Sequence, residues 1–205
     1  MDKRTHIINT ALTAFYQKGI HAVGINEILK ESGVAKKTLY NHFVSKDELI
    51  CACLEARDKR FNHWLNDRLK NCDTPFEIAS ALFGSLSIWI DNKAIELGDF
   101  NGCFFINTAA EFPHSDHPIA ILCSAHKKAV LQLLFDKLSQ TTQFKSKSEK
   151  AKQLAQLLMT LKEGMICQAR VMHSSNQLLQ DPLLLRQLVQ SYIPKPLQDA
   201  DFSVS

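Results

Sequence analysis

Two adjacent lysines, Lys36 and Lys37, stand where the sequence predicts the start of a short helix that ends at His42. The first N–H groups of a helix have no partner inside it, and together with the helix dipole they attract anions. Cations at this end oppose folding, so an external phosphate would resolve the conflict. Taken alone, however, a lysine pair is more often a solvated face.

The neighbouring sequence predicts how this short helix is held in place. A preceding helix should begin after Gly24, with Glu27 reaching back to its free N–H groups. It should end at Ser32-Gly33, because glycine accepts the left-handed conformation that follows many helix ends. The second helix is too short to be stable alone, so Leu39 and Phe43 must anchor it.

The spacing of this stretch resembles a known motif. From Ile28 the sequence reads I-x3-S-G-V-A-x2-T-L-Y-x-H-F-x2-K-x2-L, which resembles the helix-turn-helix of the TetR family of bacterial transcriptional repressors. The remainder of the chain resembles the family in length, helical pattern and a Gly-Cys-Phe segment. One departure is Ala35, where the family usually has Ser or Thr as the N-cap; losing a cap typically costs about 1 kcal/mol.

The resemblance implies that seven polar residues contact DNA: Lys36, Lys37, Thr38, Tyr40, Asn41, His42 and Lys46. The hydroxyl and imidazole groups and the last lysine are implied to hold phosphates, while the other two lysines and Asn41 face base edges. The chemistry is suitable, because Lys donates to guanine and Asn pairs with adenine in the major groove. Tyr40 alone would more often be a packing residue, so the joint spacing carries this prediction.

The composition is that of a folded protein whose positive charge is local. The chain has 205 residues, of which 45% are hydrophobic and 22% charged, as in ordinary globular proteins. The first 60 residues carry 10 basic and 7 acidic side chains, whereas the remainder carries 14 of each. This excess suits a module that neutralises several phosphates.

The cysteines and the hydropathy predict a location. Six cysteines occur without a C-x-x-C pair, and we see no N-terminal signal sequence, so we expect the reducing cytoplasm. No apolar run approaches the length of about 18 residues that spans a bilayer, and no membrane role is predicted.

Helical periodicity, with no long alternating stretch, predicts an all-α protein of nine helices. Residues 1–46 should form a three-helix DNA-binding domain, and residues 47–205 a helical domain that the resemblance assigns to ligand binding and dimerisation. Helix 46–70 links the two. Capping signals place the later helices at Thr74 to near Gly98, Cys103 to Phe112, Pro118 to Leu138, Ser146 through Met172, and Asp181 to Ile193. The helix after Pro118 is predicted to bury Leu122, Ala125, Ala129, Leu133 and Leu138.

Aromatic, sulfur-containing and imidazole side chains of the second domain have the composition of a small-molecule site. The candidates are Trp89, Phe100, Cys103, Phe104, Phe105, Phe112, His126, Met159, Met165 and Cys167. The cavity itself is implied by the resemblance, and each residue alone is more often simply core. No cofactor is predicted.

Cys103 follows Asn101-Gly102 at a predicted helix start, where the helix dipole favours a reactive thiolate. Such a thiol would sense electrophiles. The alternative is a small buried residue, which the adjoining Phe104 and Phe105 favour.

One loop offers nitrogen and oxygen donors suited to a metal, namely Glu111, His114, Asp116 and His117. These residues are better explained as the polar cap of the next helix. No metal site is predicted.

The last two helices are apolar on more than one face, which predicts a homodimer. The candidate interface residues are Leu157, Leu161, Gly164, Leu185, Val189 and Tyr192. The alternative is that these are central core helices.

Together these features predict a TetR-like repressor that a small-molecule or electrophile inducer releases from a palindromic operator. The resemblance implies double-stranded operator DNA, a second copy of the chain and the inducer as partners. No Ser-His-Asp arrangement or glycine-rich phosphate loop is present, so an enzyme is not expected. The alternatives are a helical interaction protein that uses DNA only for localisation, and a small helical enzyme using Cys103, His126 or Glu111.

Overall fold

The structure is a computed structural model that describes residues 2–145, 147–174 and 178–193. Within these ranges it has nine α-helices, two short 3-10 helices and no strand, which confirms the all-α prediction. The α-helices are α1 Lys3–Lys18, α2 Ile25–Ser32, α3 Lys36–His42, α4 Lys46–Leu69, α5 Pro75–Ile90, α6 Phe104–Glu111, α7 Pro118–Gln140, α8 Ser148–Met172 and α9 Pro182–Gln190.

Helices α1 to α3 form a small bundle around a tight turn. Gly33 takes a left-handed conformation, with φ of 67°, and donates its N–H to Leu29 O. Leu39 and Phe43 are 0% and 1% exposed, so the predicted anchors of α3 are confirmed. Glu27 was expected to cap α2, but its carboxylate instead lies 2.5 Å from the Lys18 ammonium.

Helix α4 joins the bundle to the other helices, with contacts to α1, α5 and α7. Its start is fixed by Ser45, whose hydroxyl accepts from the Glu48 N–H. Near α1, the Cys53 thiol contacts Ile8 O at 3.6 Å. Because both parts of the protein pack on this one helix, it can transmit movement between them.

Helix α5 has the predicted start and an earlier end. Thr74 and Glu77 form a capping box with Pro75 in the first turn. The helix ends at Ile90 rather than near Gly98, because Asn92 takes a positive φ of 59° and its side chain accepts from the Phe100 N–H at 2.6 Å. A 3-10 turn, Ile95–Leu97, follows before α6.

Helix α7 buries a different face from the predicted one. The buried residues are Ile119, Cys123, His126, Val130, Leu134 and Leu138, so of the predicted set only Leu138 is fully buried. By length and composition α7 also passes the test for a membrane span, which the sequence analysis did not anticipate. Here its apolar residues pack against α4, α6 and α8.

The last helices correct two predictions. Leu185 and Val189 are 2% and 1% exposed inside a single chain, because α9 packs on α5; they therefore do not form an exposed second face. Helix α8 begins at Ser148 with Lys147 as its N-cap. The predicted cap Ser146 and the expected frayed tail after Ile193 lie outside the described residues.

Candidate DNA-binding surface and ligand-domain interior

Helix α3 presents its polar residues outward. Lys36, Lys37 and Asn41 are exposed, Tyr40 is 42% exposed, and Thr38 and His42 are partly buried. No side-chain hydrogen bond caps the helix at Ala35. The surface thus combines ammonium, amide and hydroxyl groups around free helix N–H groups, an arrangement suited to phosphates and base edges.

Lys46 is placed differently from the other predicted contacts. Its ammonium donates to Ile20 O at 2.6 Å and lies 5.7 Å from the centre of the Phe15 ring. Partial burial lowers the pKa of Lys46, while the nearby Glu111 opposes this. In this structure Lys46 therefore holds the α1–α2 connection.

The carboxylate of Glu111, at the end of α6, binds the same connection. It accepts from the backbone N–H of Ile20 at 2.8 Å and of His21 at 2.6 Å. The ring of His21 stacks on Phe112 with centroids 5.0 Å apart, so Phe112 lies at the contact between domains and not in the cavity.

The metal candidates are not assembled as ligands. Glu111 is bound to the backbone, and His117 caps α7 by accepting from the Ile119 N–H. Among the described residues, no group of three or more His, Cys, Asp or Glu could hold a metal ion.

Tyr16 ties α1 to the loop before α6. Its hydroxyl donates to Gly102 O at 2.7 Å and accepts from the Asn101 N–H at 2.9 Å. Together with Glu111, this contact attaches both ends of α6 to the DNA-binding bundle. A shift of α6 would therefore move α1 and the α1–α2 connection.

The interior of the second domain contains a small cavity of about 10 Å3, about the size that holds one water. Five of the ten predicted ligand residues line it: Trp89, Cys103, Phe104, Phe105 and His126. Phe100 adjoins the cavity through its ring contact with Trp89, with centroids 5.0 Å apart.

The other predicted ligand residues lie elsewhere. Cys167 is exposed, Met159 is partly buried, and Met165 is buried without lining the cavity. In place of these residues, α8 contributes Lys162 and Ile166.

Sequence reasoning missed four lining residues: Arg57, Phe61, Lys162 and Ile166. A signal for Arg57 was present, because it interrupts the apolar stripe formed by Leu54, Phe61 and Leu65 on α4. Lys162 likewise follows Leu158 by one turn. A cation within a buried stripe is rare and marks a functional or paired group.

Arg57 is 3% exposed. One terminal nitrogen donates to Leu97 O at 2.6 Å, and the guanidinium carbon lies 4.8 Å from the Tyr16 ring centre and 5.6 Å from that of Trp89. Burial lowers the pKa of Arg57, although arginine remains protonated in proteins.

Lys162 and Lys127 share one carboxylate. The two Glu163 oxygens accept from Lys162 Nζ at 2.6 Å and from Lys127 Nζ at 2.7 Å. Complete burial lowers the pKa of Lys162, and Glu163 opposes this effect. Lys127 Nζ also donates to the Cys103 sulfur at 3.2 Å.

His126 is neutral in this setting. Burial and the cations Lys127, Lys162 and Arg57 lower its pKa to about 2. The neutral ring therefore donates Nδ1–H to Asp58, whose oxygen lies at 2.7 Å. The same ring stacks on Phe105, with centroids 3.6 Å apart, so His126 forms a wall of the cavity.

Comparison with known proteins gives a family match in each half of the chain. The family model for bacterial regulatory proteins of the tetR family matches residues 7–53, and the model for the LmrA/YxaF-like transcriptional regulator C-terminal domain matches residues 78–180.

Two curated regulators and one solved structure are similar to this chain over most of its length. The HTH-type transcriptional regulator YxaF of Bacillus subtilis is 27% identical over 190 residues, 90% of this chain and 96% of that protein. LmrA of the same organism is 27% identical over 151 residues, covering 73% and 78% of the two chains. A solved TetR-family regulator from Streptomyces coelicolor has a TM-score of 0.70 and 27% identity, covering 93% of this chain and 92% of its own. The chain therefore belongs to the TetR family of helix-turn-helix transcriptional regulators, with a second domain of the LmrA/YxaF-like type.

Proposed function

We propose that this regulator is a homodimeric repressor that binds a palindromic operator and is released by a small molecule held in the second domain. The two half-sites would be about 34 to 36 Å apart, one turn of the double helix, as expected for a two-fold dimer. The seven polar residues of α3 and the start of α4 supply the proposed DNA contacts. Operator DNA lies in the cytoplasm, which is where we expect the protein to act.

The attachment of α6 at both of its ends is the observation that supports this proposal most directly. Cys103, Phe104 and Phe105 at the start of α6 line the cavity, while Tyr16 and Glu111 bond the flanking segments to the DNA-binding bundle. A ligand that needs more space must displace α6 and therefore α1. Release from DNA then follows from thermodynamic coupling: the ligand lowers the affinity for DNA by some factor, and DNA must lower the affinity for the ligand by the same factor.

The experiment selects operator sequences from a random DNA library and follows the affinity of the best one by fluorescence anisotropy. A palindromic sequence with nanomolar affinity, weakened by a small molecule that binds the purified protein, is the expected result. A protein that shows no sequence preference over random DNA at physiological salt is not a repressor of this kind.

The proposed dimer uses the outer surface of α8. Leu157 and Leu161 are partly buried, and Gly164 is exposed with open space around its Cα. Further along, Val171 is 73% exposed, which leaves an apolar surface that a second copy can cover. Tyr192, after α9, is partly buried and remains a candidate.

The dimer is tested by sedimentation of Leu161→Asp. This variant should be a folded monomer that loses operator affinity, whereas Thr142→Asp in the exposed α7–α8 loop should remain dimeric. A wild-type chain that sediments as a monomer at micromolar concentration would refute this assembly.

A further inference from the structure

Arg57 carries a buried charge with no acidic partner among the described residues. Of its five N–H donors, one nitrogen is bonded to Leu97 O, and the second terminal nitrogen has no hydrogen-bond partner in the described part of the chain. A buried cation is costly unless it is paired and hydrogen-bonded. The second terminal nitrogen is therefore free to donate to an acceptor supplied by a ligand.

Trp89 provides a second unused donor at the same cavity. The Trp89 side chain is only 2% exposed, and its buried indole N–H lacks a partner among the described residues. Arg57, Trp89 and Lys162 all line the one cavity. Lys162 donates to Glu163, so the cavity is lined by two residues with an unpartnered buried donor and by one paired ammonium.

The walls of the cavity are flat and apolar. Phe61 packs edge-on against Trp89, with centroids 5.7 Å apart and ring planes inclined by 65°, and Phe105 stacks on the neutral His126. Such walls suit an aromatic ring, because edge and face contacts between rings add to the burial of their surface.

A route to Arg57 is open from solvent. The residue also borders a cleft of about 410 Å3 between α1 and the loop from Leu97 to Asn101, and Arg60 lines the same cleft. Two guanidinium groups at the mouth and base of a cleft attract anions and bind carboxylates in a two-pronged geometry.

From this geometry we infer that the inducer is a small aromatic acid, whose carboxylate pairs with Arg57 and the Trp89 N–H and whose ring lies against Phe61 and Phe105. This inference rests on the proposed function, since it names the class of ligand that the regulator senses. The ligand requires the ring side chains to move apart, because the closed cavity holds no more than about one water.

Arg57 also links this site to the DNA-binding bundle. Its guanidinium faces the Tyr16 ring at 4.8 Å, and Tyr16 holds the Asn101-Gly102 segment to α1. A carboxylate that draws the guanidinium towards the cavity weakens that contact and loosens α1. Binding of the acid should therefore lower operator affinity.

The inference is tested by calorimetry on the full chain with benzoate, salicylate and 1-naphthoate, each compared with its neutral amide. A buried charged hydrogen bond predicts that at least one acid binds about tenfold or more tightly than its amide. Arg57→Met should lose that preference, while Arg68→Met, on an exposed part of the same helix, should retain it.

Equal binding of acids and amides to the wild-type chain would overturn the inference, and water would then be the partner of the two unused donors. The same conclusion follows if Arg57→Met keeps the wild-type preference for the acid. If Arg57→Met does not fold, Trp89→Phe retains the ring, removes the N–H and should weaken the acid several-fold but not the amide. If only neutral compounds release the protein from DNA, the aromatic-acid inference is wrong and the repressor proposal stands. If acids bind but no operator is found, the ligand site stands and the repressor proposal is wrong.

Discussion

Helix α3 and the interior of the second domain both contain cations, and the two regions place them in opposite surroundings. Lys36 and Lys37 lie exposed at the start of α3, whereas Arg57 and Lys162 are 3% and 1% exposed. Exposed ammonium groups remain hydrated and affect stability little, and DNA gains affinity from them by releasing counterions. Buried cations affect both folding and the choice of ligand, because each must be matched by an acceptor.

The largest predicted effect is at Glu163, the carboxylate shared by the buried Lys162 and the partly buried Lys127. Glu163→Gln leaves Lys127 and Lys162 without an anionic partner, and breaking a buried pair in this way costs about 3–5 kcal/mol. Urea unfolding of the variant should show this loss. Glu149→Gln, in the exposed first turn of the same helix, should change stability by less than about 1 kcal/mol. Equal effects would show that the interior charges are no different from surface charges.

The same carboxylate gives a pH dependence. Burial alone would raise the pKa of Glu163, but the ammonium groups of Lys162 and Lys127 outweigh burial and lower it. A depressed folded-state pKa stabilises the protein above the unfolded value, about 4.3 for glutamate, and this contribution is lost as the pH falls through the folded-state pKa. The free energy of unfolding should therefore fall in acid more steeply for the wild type than for Glu163→Gln.

Replacing the exposed cations of α3 should affect DNA binding and not stability. Replacing Lys36 and Lys37 together by alanine should leave stability unchanged and weaken the selected operator on the order of 100-fold, since each base contact contributes about 1–3 kcal/mol. Lys128→Ala, exposed on α7, is the matched control and should bind DNA normally. A double variant that retains full affinity would place the DNA contact elsewhere.

Between these two regions, the contact of Glu111 with the α1–α2 connection should control coupling. Glu111→Gln leaves one acceptor for two backbone donors, so one N–H loses its partner at a cost of about 1–3 kcal/mol. We expect amide exchange at Ile20 and His21 to accelerate, and the inducer-dependent loss of operator affinity to shrink by about tenfold.

The control for this prediction is Asp116→Asn, in the exposed loop after α6. It should leave both measurements unchanged. If Asp116→Asn instead had the same effects as Glu111→Gln, then Glu111, Asp116 and the histidines of this loop would act together, as a shared metal ion would require.

The two regions also differ in how far the sequence predicted them. The bounds of α3 and its anchors Leu39 and Phe43 were predicted, because a glycine in left-handed conformation and a short polar helix leave distinct local signals. The contacts of Lys46 and Glu111 with Ile20 were not, since residues so distant along the chain meet only through tertiary packing.

The buried face of α7 could not be predicted from the spacing of its apolar residues. Leu122 and Leu133 are apolar but only partly buried, while Cys123 and His126 are buried. An apolar helix in contact with four other helices carries no single clear stripe, so pattern alone could not choose the inner face. The burial of Leu185 and Val189 against α5 was missed for the same reason.

The smallest predicted effect concerns Ala35, where α3 lacks a side-chain cap. Its backbone has extended N-cap geometry, with φ of −68° and ψ of 146°, so a serine there can accept from the first helical N–H groups without rearrangement. Ala35→Ser should stabilise the DNA-binding bundle by about 0.5–1 kcal/mol. The same N–H groups attract phosphate, so the serine hydroxyl should compete with a DNA phosphate for them. This loss should offset the gain from a better-ordered helix, and operator affinity should stay nearly unchanged.

Ala35→Gly is the control, because it permits the geometry and supplies no acceptor. Thermal unfolding and operator titration of both variants and the wild type separate the two effects: a serine variant that is no more stable than the wild type would show that packing by Leu39 and Phe43 alone determines the stability of α3.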